Sequence, residues 1–296
     1  MILYRQIERN KRLTIVIVAG FILFVLLVGA AFTYIQTGEY YSGMVIAAVL
    51  GLGYTLMMIF SSTNIVMKMN HAHEIKSTNQ NPFLWNTVEG LSLAAQIPMP
   101  RIFIIKDASP NAFATGTSPD KGAVAVTTGL LERLNREELE GVIAHEIAHI
   151  KNYDIRLATI AIALVSVVAL LSDFGSRMLY YTRHSRRNSK DNNAGAIIQL
   201  LAIILLIFAP IIATLIRLAI SRNREYLADA SAADLTRNPY ALASALEKIT
   251  SSSAPVKEAS STSAPLYFAD PLKKKTKNLF STHPPAQERI HRLKNM

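Results

Sequence analysis

The stretch His145-Glu146-Ile147-Ala148-His149 sets two imidazoles four residues apart, with a carboxylate beside the first. On a helix, positions i and i+4 share one face, one turn apart. Two rings so placed can hold one Zn²⁺ at about 2.0–2.1 Å. Glu146 is rotated by roughly 100° from His145, within reach of the metal's open side without being a ligand, which is the position of a general base. Two histidines leave a tetrahedral zinc needing a third protein ligand and keeping one position open. The segment Arg224-Glu225-Tyr226-Leu227-Ala228-Asp229 supplies a carboxylate pair, again at i and i+4. Glu225 is the candidate third ligand. Asp229 can accept a hydrogen bond from the outer ring nitrogen of a ligating histidine. Either motif alone is also what a charged helix face produces with no metal; the two together are far more specific. The chain contains no cysteine, which excludes disulfides and thiolate sites and leaves His, Asp and Glu as ligands for one zinc per chain. His71 and His73 are a second pair, but no acidic partner is fixed by the sequence, and they read as part of a solvated linker.

These side chains need elements to position them. Asn135 followed three residues later by Glu138 is the pattern of a capping box, and the helix it opens runs through Ile150. Arg222–Leu235 and Pro239–Thr250 read as helices, as does Pro82–Gln96. Arg101–Ile105, Ala112–Thr115 and Ala123–Thr127 read as short strands, punctuated by Ser109–Asn111 and Thr117–Gly122. Pro284–Lys294 is a candidate final helix. Ser251–Pro265, rich in Ser, Ala and Pro, reads as a mobile loop. The fold class expected is mainly α with a small β-sheet.

Half of the 296 residues are hydrophobic, and the mean hydropathy is +0.24. Four apolar runs are candidate membrane spans: Leu13–Ile35, Gly43–Phe60, Leu157–Leu171 and Ala196–Ile220. About 20 helical residues are needed to cross; the first and fourth runs clear that length, the second is marginal, and the third is the shortest, within the range of a buried core helix. The first run is too long for a cleaved signal core and pairs with the second as a hairpin. Arg5, Arg9, Lys11 and Arg12 precede the first span, while the loop after it has no Lys or Arg, which places the N-terminus on the cytoplasmic side. His149 and Glu225 must meet at one ion, so the chain between them crosses the bilayer and returns, or does not cross. Five basic residues in Ser172–Ala194 run against full crossing. The early spans dominate the rule, so four spans with both termini cytoplasmic is the expectation. The net charge of +10 suits anionic lipid headgroups; no nucleic-acid motif accompanies it. The sequence does not set an oligomeric state.

Read in order, several pieces resemble one family. The N-terminal hairpin, Asn111-Ala112-Phe113-Ala114, the His145–His149 helix, Asn152–Asp154, Ser221–Asp229 and Ser281-Thr282-His283-Pro284-Pro285 are similar to the HtpX family of membrane proteases, relatives of the CAAX prenyl endopeptidases. The likeness covers nearly the full length. It implies a zinc-dependent endopeptidase acting on misfolded membrane proteins in the bacterial inner membrane, with residues 1–60 a transmembrane hairpin, 61–156 the first part of a zincin-like protease domain, 157–220 a second hairpin and 221–296 its second part. By the same resemblance His283 is the candidate donor to the oxyanion. Asn111 precedes a short strand whose exposed edge can take an extended substrate by strand addition, with the Asn111 amide gripping a substrate carbonyl. Two rival readings remain. An intramembrane site would bury the charges of Arg133–Glu140 and Lys151–Arg156, at several kcal/mol each. A membrane scaffold or transporter with a structural metal would need a fourth protein ligand, for which His283 is available.

Overall fold

The computed structural model describes residues 2–165, 222–252, 254–259, 263–272 and 284–296. Two long helices open the chain: α1, Ile2–Thr37, and α2, Tyr41–Met69. They fold back on each other through a turn at Gly38, whose φ is 77°, a left-handed conformation that glycine adopts without penalty. Gly43 lets the helices touch: a Cβ there would lie 2.0 Å from Thr33 Oγ1 and 2.2 Å from the Gly29 carbonyl. Ile15, Val16, Leu23, Val49, Met57 and Phe60 are exposed along the hairpin. Such apolar outer faces are what a lipid environment requires and water does not favour. Among the described residues one segment, Glu8–Leu27, has the length and the mean hydropathy (2.0) of a membrane span.

A four-stranded sheet follows: β1 (His73–Ile75), β2 (Arg101–Ile105), β3 (Ala112–Thr115) and β4 (Ala123–Thr127). The spatial order is β1-β2-β4-β3; β2 and β4 are parallel and the outer pairs antiparallel. Successive side chains of a strand point to opposite faces, and both faces of β4 are covered. Val124 and Val126 meet Leu84 and Val88 of α3 (Pro82–Ala95), together with Val142, Ile143 and Ile147 of α5 (Arg136–Lys151). Ala123 and Ala125 share the other side with Val66, Met67, Ile162 and Tyr267. The short helix α4 (Thr128–Arg133) is capped by the Thr127 hydroxyl, which accepts from the Leu130 N–H. Behind α5 lie α6 (Arg222–Thr236), α7 (Pro239–Ser251) and α8 (Ala286–Lys294). Gly141 of α5 faces Leu242 of α7; a Cβ there would come within 3.1 Å of the Leu242 Cα.

Residues 154–165 are helical and largely buried. Leu157, Ile160 and Leu164 pack with Ile17 and Phe21 of α1, so this part of the third apolar run joins the hairpin to the sheet. The rest of that run, the whole of Ala196–Ile220 and the basic loop between them lie outside the described residues. Two expectations change. His73 is not in a linker: it opens β1, a strand too short to show a period and formed by pairing with β2. His71, just before it, pairs with Glu258. The described parts of the Ser-rich stretch are tied down. The Lys257 N–H donates to Asp107 Oδ2 at 2.7 Å, the Ser109 hydroxyl donates to the Ala254 carbonyl at 2.7 Å, and Val256 is buried. Composition misses this because the anchoring groups are supplied by Asp107 and Ser109, far off in sequence.

Candidate active site

The helix that carries the His145–His149 motif is α5, and its start is fixed as the sequence predicts. The Asn135 side chain accepts from the Glu138 N–H, and the Glu138 carboxylate accepts from the Asn135 N–H, both at 2.9 Å. Lys248 and Ser244 of α7 also hold Glu138, at 2.7 and 2.6 Å. The helix then runs through the protein interior, so that His145 and Glu146 are only 1% and 2% exposed.

His145, His149 and Glu225 converge. Their nearest donor atoms all lie within 4.8 Å of one another. The two Nε2 atoms are 3.1 Å apart, and Glu225 oxygens stand 3.9 Å from His145 Nε2 and 3.4 Å from His149 Nε2. Ligands about 2.05 Å from a tetrahedral zinc sit about 3.3 Å from each other, so the spacing fits a divalent ion of that size. The outer ring nitrogens are also engaged. His145 Nδ1 is 2.9 Å from Asp229 Oδ1, and His149 Nδ1 is 3.1 Å from Asp154 Oδ2. Such partners fix which nitrogen faces the metal. A pocket opens on this cluster, lined also by Glu146, Ala114, Ile155 and Pro265 to Phe268.

Arg289 of α8 lies behind the carboxylates and is 1% exposed. Its guanidinium donates to both Asp229 oxygens, at 2.8 and 2.7 Å, and to the Phe268 carbonyl at 3.1 Å, with Glu225 Oε2 at 3.5 Å. Burial alone would lift the Asp229 pKa, but the Arg289 charge together with the hydrogen bonds from His145 and Arg289 outweighs it and holds the carboxyl at about 2. Neither Arg289 nor Asp154 was assigned a role from sequence. The signal for Arg289 is an arginine inside the apolar stripe formed by Ala286, Ile290 and Leu293, since i, i+3 and i+4 share a face.

Burial drives the His145 ring down to about 4. Burial also opposes protonation of His149, but hydrogen bonds to Asp154 and Glu225 prevail and lift it to about 10. Without a metal the ligand pair therefore carries one positive charge at neutral pH, on His149. Glu146 is raised to about 7, chiefly by burial and further by the Glu225 charge; the His149 charge and the Ala114 N–H oppose the shift. A carboxyl raised in this way favours the folded state below pH about 4.5, and the contribution is lost as pH rises through about 7. In metal-free protein, Glu146→Gln should therefore gain stability relative to the parent between pH 5 and pH 8, by at most about 3 kcal/mol. Thermal midpoints of the two proteins in chelator at both pH values measure it; a constant difference would show that Glu146 titrates normally.

The substrate edge differs from expectation. β3 is the outer strand, but the chain's own 266–269 segment lies along it: Phe113 pairs with Tyr267, and the Phe268 N–H donates to the Ala112 carbonyl at 2.8 Å. The Asn111 amide, expected on a substrate carbonyl, donates to the Ala269 carbonyl at 2.8 Å and accepts from the Ala269 N–H at 3.2 Å. Sequence gives strand edges but not which distant segment covers them. His283 lies outside the described residues.

The model of peptidase family M48 matches residues 78–296. The chain belongs to that family. A curated protein called "Protease HtpX homolog" from Listeria monocytogenes serotype 4b is 56% identical over 303 residues, covering 99% of this chain and all of the relative. A protein of the same description from Levilactobacillus brevis is 54% identical over 298 residues, with the same coverage. The crystal structure of S. mikatae Ste24p is similar at a TM-score of 0.47 and 19% identity, over 99% of this chain and 66% of that one. By its family and these two relatives the protein is a membrane metalloprotease.

Proposed function

We propose that the chain is a zinc-dependent endopeptidase of the bacterial cell membrane. It cuts misfolded or damaged membrane proteins at a site on the cytoplasmic side. The observation that carries this reading is the meeting of His145, His149 and Glu225 at one point, with Glu146 alongside but outside the ligand set. Zinc bound by those three side chains would acidify a water molecule and polarise the scissile carbonyl. The remaining chemistry belongs to the protein. Glu146, held near pKa 7 in the metal-free pocket, is tuned to accept a proton from the attacking water and to return it to the departing amine. Asp229 and Asp154 keep the two imidazoles aimed inward, and Arg289 keeps Asp229 ionised. His283 is the candidate donor to the tetrahedral oxyanion.

Membrane-held substrates are favoured because the site is built onto the hairpin: residues 154–165 start beside the metal cluster and pack on α1. Purified chain in bilayers should cleave an unfolded membrane protein, stop on addition of a chelator and resume with stoichiometric zinc. Cleavage that persists at full rate in chelator would refute the zinc reading. The four-span topology is tested in the same preparation: a cysteine replacing Ser189 should react only from the outer face, and reaction from the cytoplasmic face alone would reduce the spans to two.

A further inference from the structure

The membrane helix α1 reaches the metal cluster through Asn10. Asn10 is 5% exposed, and its Nδ2 donates to Asp154 Oδ1 at 3.0 Å. The other oxygen of the same carboxylate, Oδ2, is the one 3.1 Å from His149 Nδ1. Arg224, the neighbour of Glu225, has its Nη1 3.7 Å from Asp154 Oδ1. Asp154 thus joins α1, α5 and α6 at one buried point. Two further contacts steady the corner. Tyr153 takes the left-handed φ of 58° that turns the chain out of α5 and presents Asp154, and the Lys11 ammonium lies 5.2 Å from the centre of its ring. The Thr14 hydroxyl donates to the Asn10 carbonyl at 2.8 Å, a bond within the helix that does not involve Asp154.

We propose that Asn10 is a positioning residue for the metal centre: its amide fixes the Asp154 carboxylate that orients His149, making the first membrane helix a working part of the catalytic apparatus. A carboxylate rotates about its last bond with little resistance. One that holds a ligating histidine must therefore be held in turn, and partners beyond the ligands set metal affinity by about 10–100-fold. An asparagine suits this task. It donates to the carboxylate without adding a charge that would compete with His149 for it, as a lysine would. The inference rests on His149 being a metal ligand, which the proposed function already requires.

The test uses the full chain in nanodiscs, loaded with cobalt(II). Asn10→Leu keeps the size of the side chain and removes the donor; Asn10→Ser is the smaller alternative and falls short of Asp154. Chelator competition should show metal affinity lowered about tenfold or more in either variant, with a shifted cobalt absorption band, a lower kcat and KM within about twofold. Thr14→Val, which loses a hydroxyl on the same helix without touching Asp154, should keep the parent's affinity and spectrum. His149→Ala separates the two layers of the claim. If it binds cobalt as the parent does, the ligand assignment fails. If it loses the metal while a folded Asn10 variant keeps the parent's affinity and spectrum, the assignment stands and the positioning role of Asn10 is overturned. A lower thermal midpoint with unchanged affinity and spectrum likewise reduces Asn10 to packing.

Discussion

Replacing Glu146 by glutamine should lower peptide hydrolysis by about a thousandfold or more while one metal ion per chain remains bound. Glutamine matches the shape of glutamate and still offers an oxygen to the Ala114 N–H that the carboxyl accepts from. What it cannot do is take up a proton. General-base catalysis contributes about 10²–10⁴ in rate, and the upper part of that range applies because a buried group near pKa 7 can both accept and release its proton at neutral pH. Metal content should not move, since the convergent donors are His145, His149 and Glu225. Rate per bound metal, with metal measured by elemental analysis, distinguishes the outcomes. A variant that cleaves like the parent removes Glu146 from the mechanism; one that has lost its metal makes Glu146 a ligand.

The largest effect on stability is expected at Arg289. Its guanidinium neutralises Asp229 directly and stands 3.5 Å from Glu225. Arg289→Met preserves length and apolar packing but leaves the interior Asp229 carboxylate without its cation and takes one positive charge away from Glu225. Breaking a buried pair on one side costs about 3–5 kcal/mol, which for a chain of this kind corresponds to a fall of about 10 °C in thermal midpoint. Added zinc should recover part of the loss, because a cation at Glu225 replaces some of the missing charge. Arg289→Lys should do worse than charge alone implies, since an ammonium cannot reproduce the paired bonds to both Asp229 oxygens. An unchanged midpoint in metal-free Arg289→Met would mean that the two acids are protonated or solvated, against the pairing seen.

Much of this was readable from local pattern. The three strands over Arg101–Ile105, Ala112–Thr115 and Ala123–Thr127 form with the bounds that their apolar residues and flanking turn residues mark. The Asn135–Glu138 box is local chemistry, complete within four residues, and it forms. The i, i+4 spacings of His145 with His149 and of Glu225 with Asp229 translate directly into shared helix faces, which is why the cluster could be assembled on paper. The losses share one cause. β1 exists because β2 is beside it, Asn111 bonds Ala269, Asp107 anchors Lys257, and Asn10 meets Asp154 across 144 positions. Each is a pairing between distant segments, and no period or propensity encodes the partner. Arg289 lies between these cases: its place in an apolar stripe marks it as odd, but only the packed structure says which acids it serves.

The order in which the pocket's parts occur along the chain has a bearing on synthesis. A ribosome delivers both imidazoles first, Glu225 76 positions after the second of them, and Arg289 after that. Until the arginine arrives, Asp229 lacks the charge that makes its burial tolerable, and two histidines on a nascent helix grip an ion only weakly. The three convergent donors and the arginine behind them are therefore all present only late in translation.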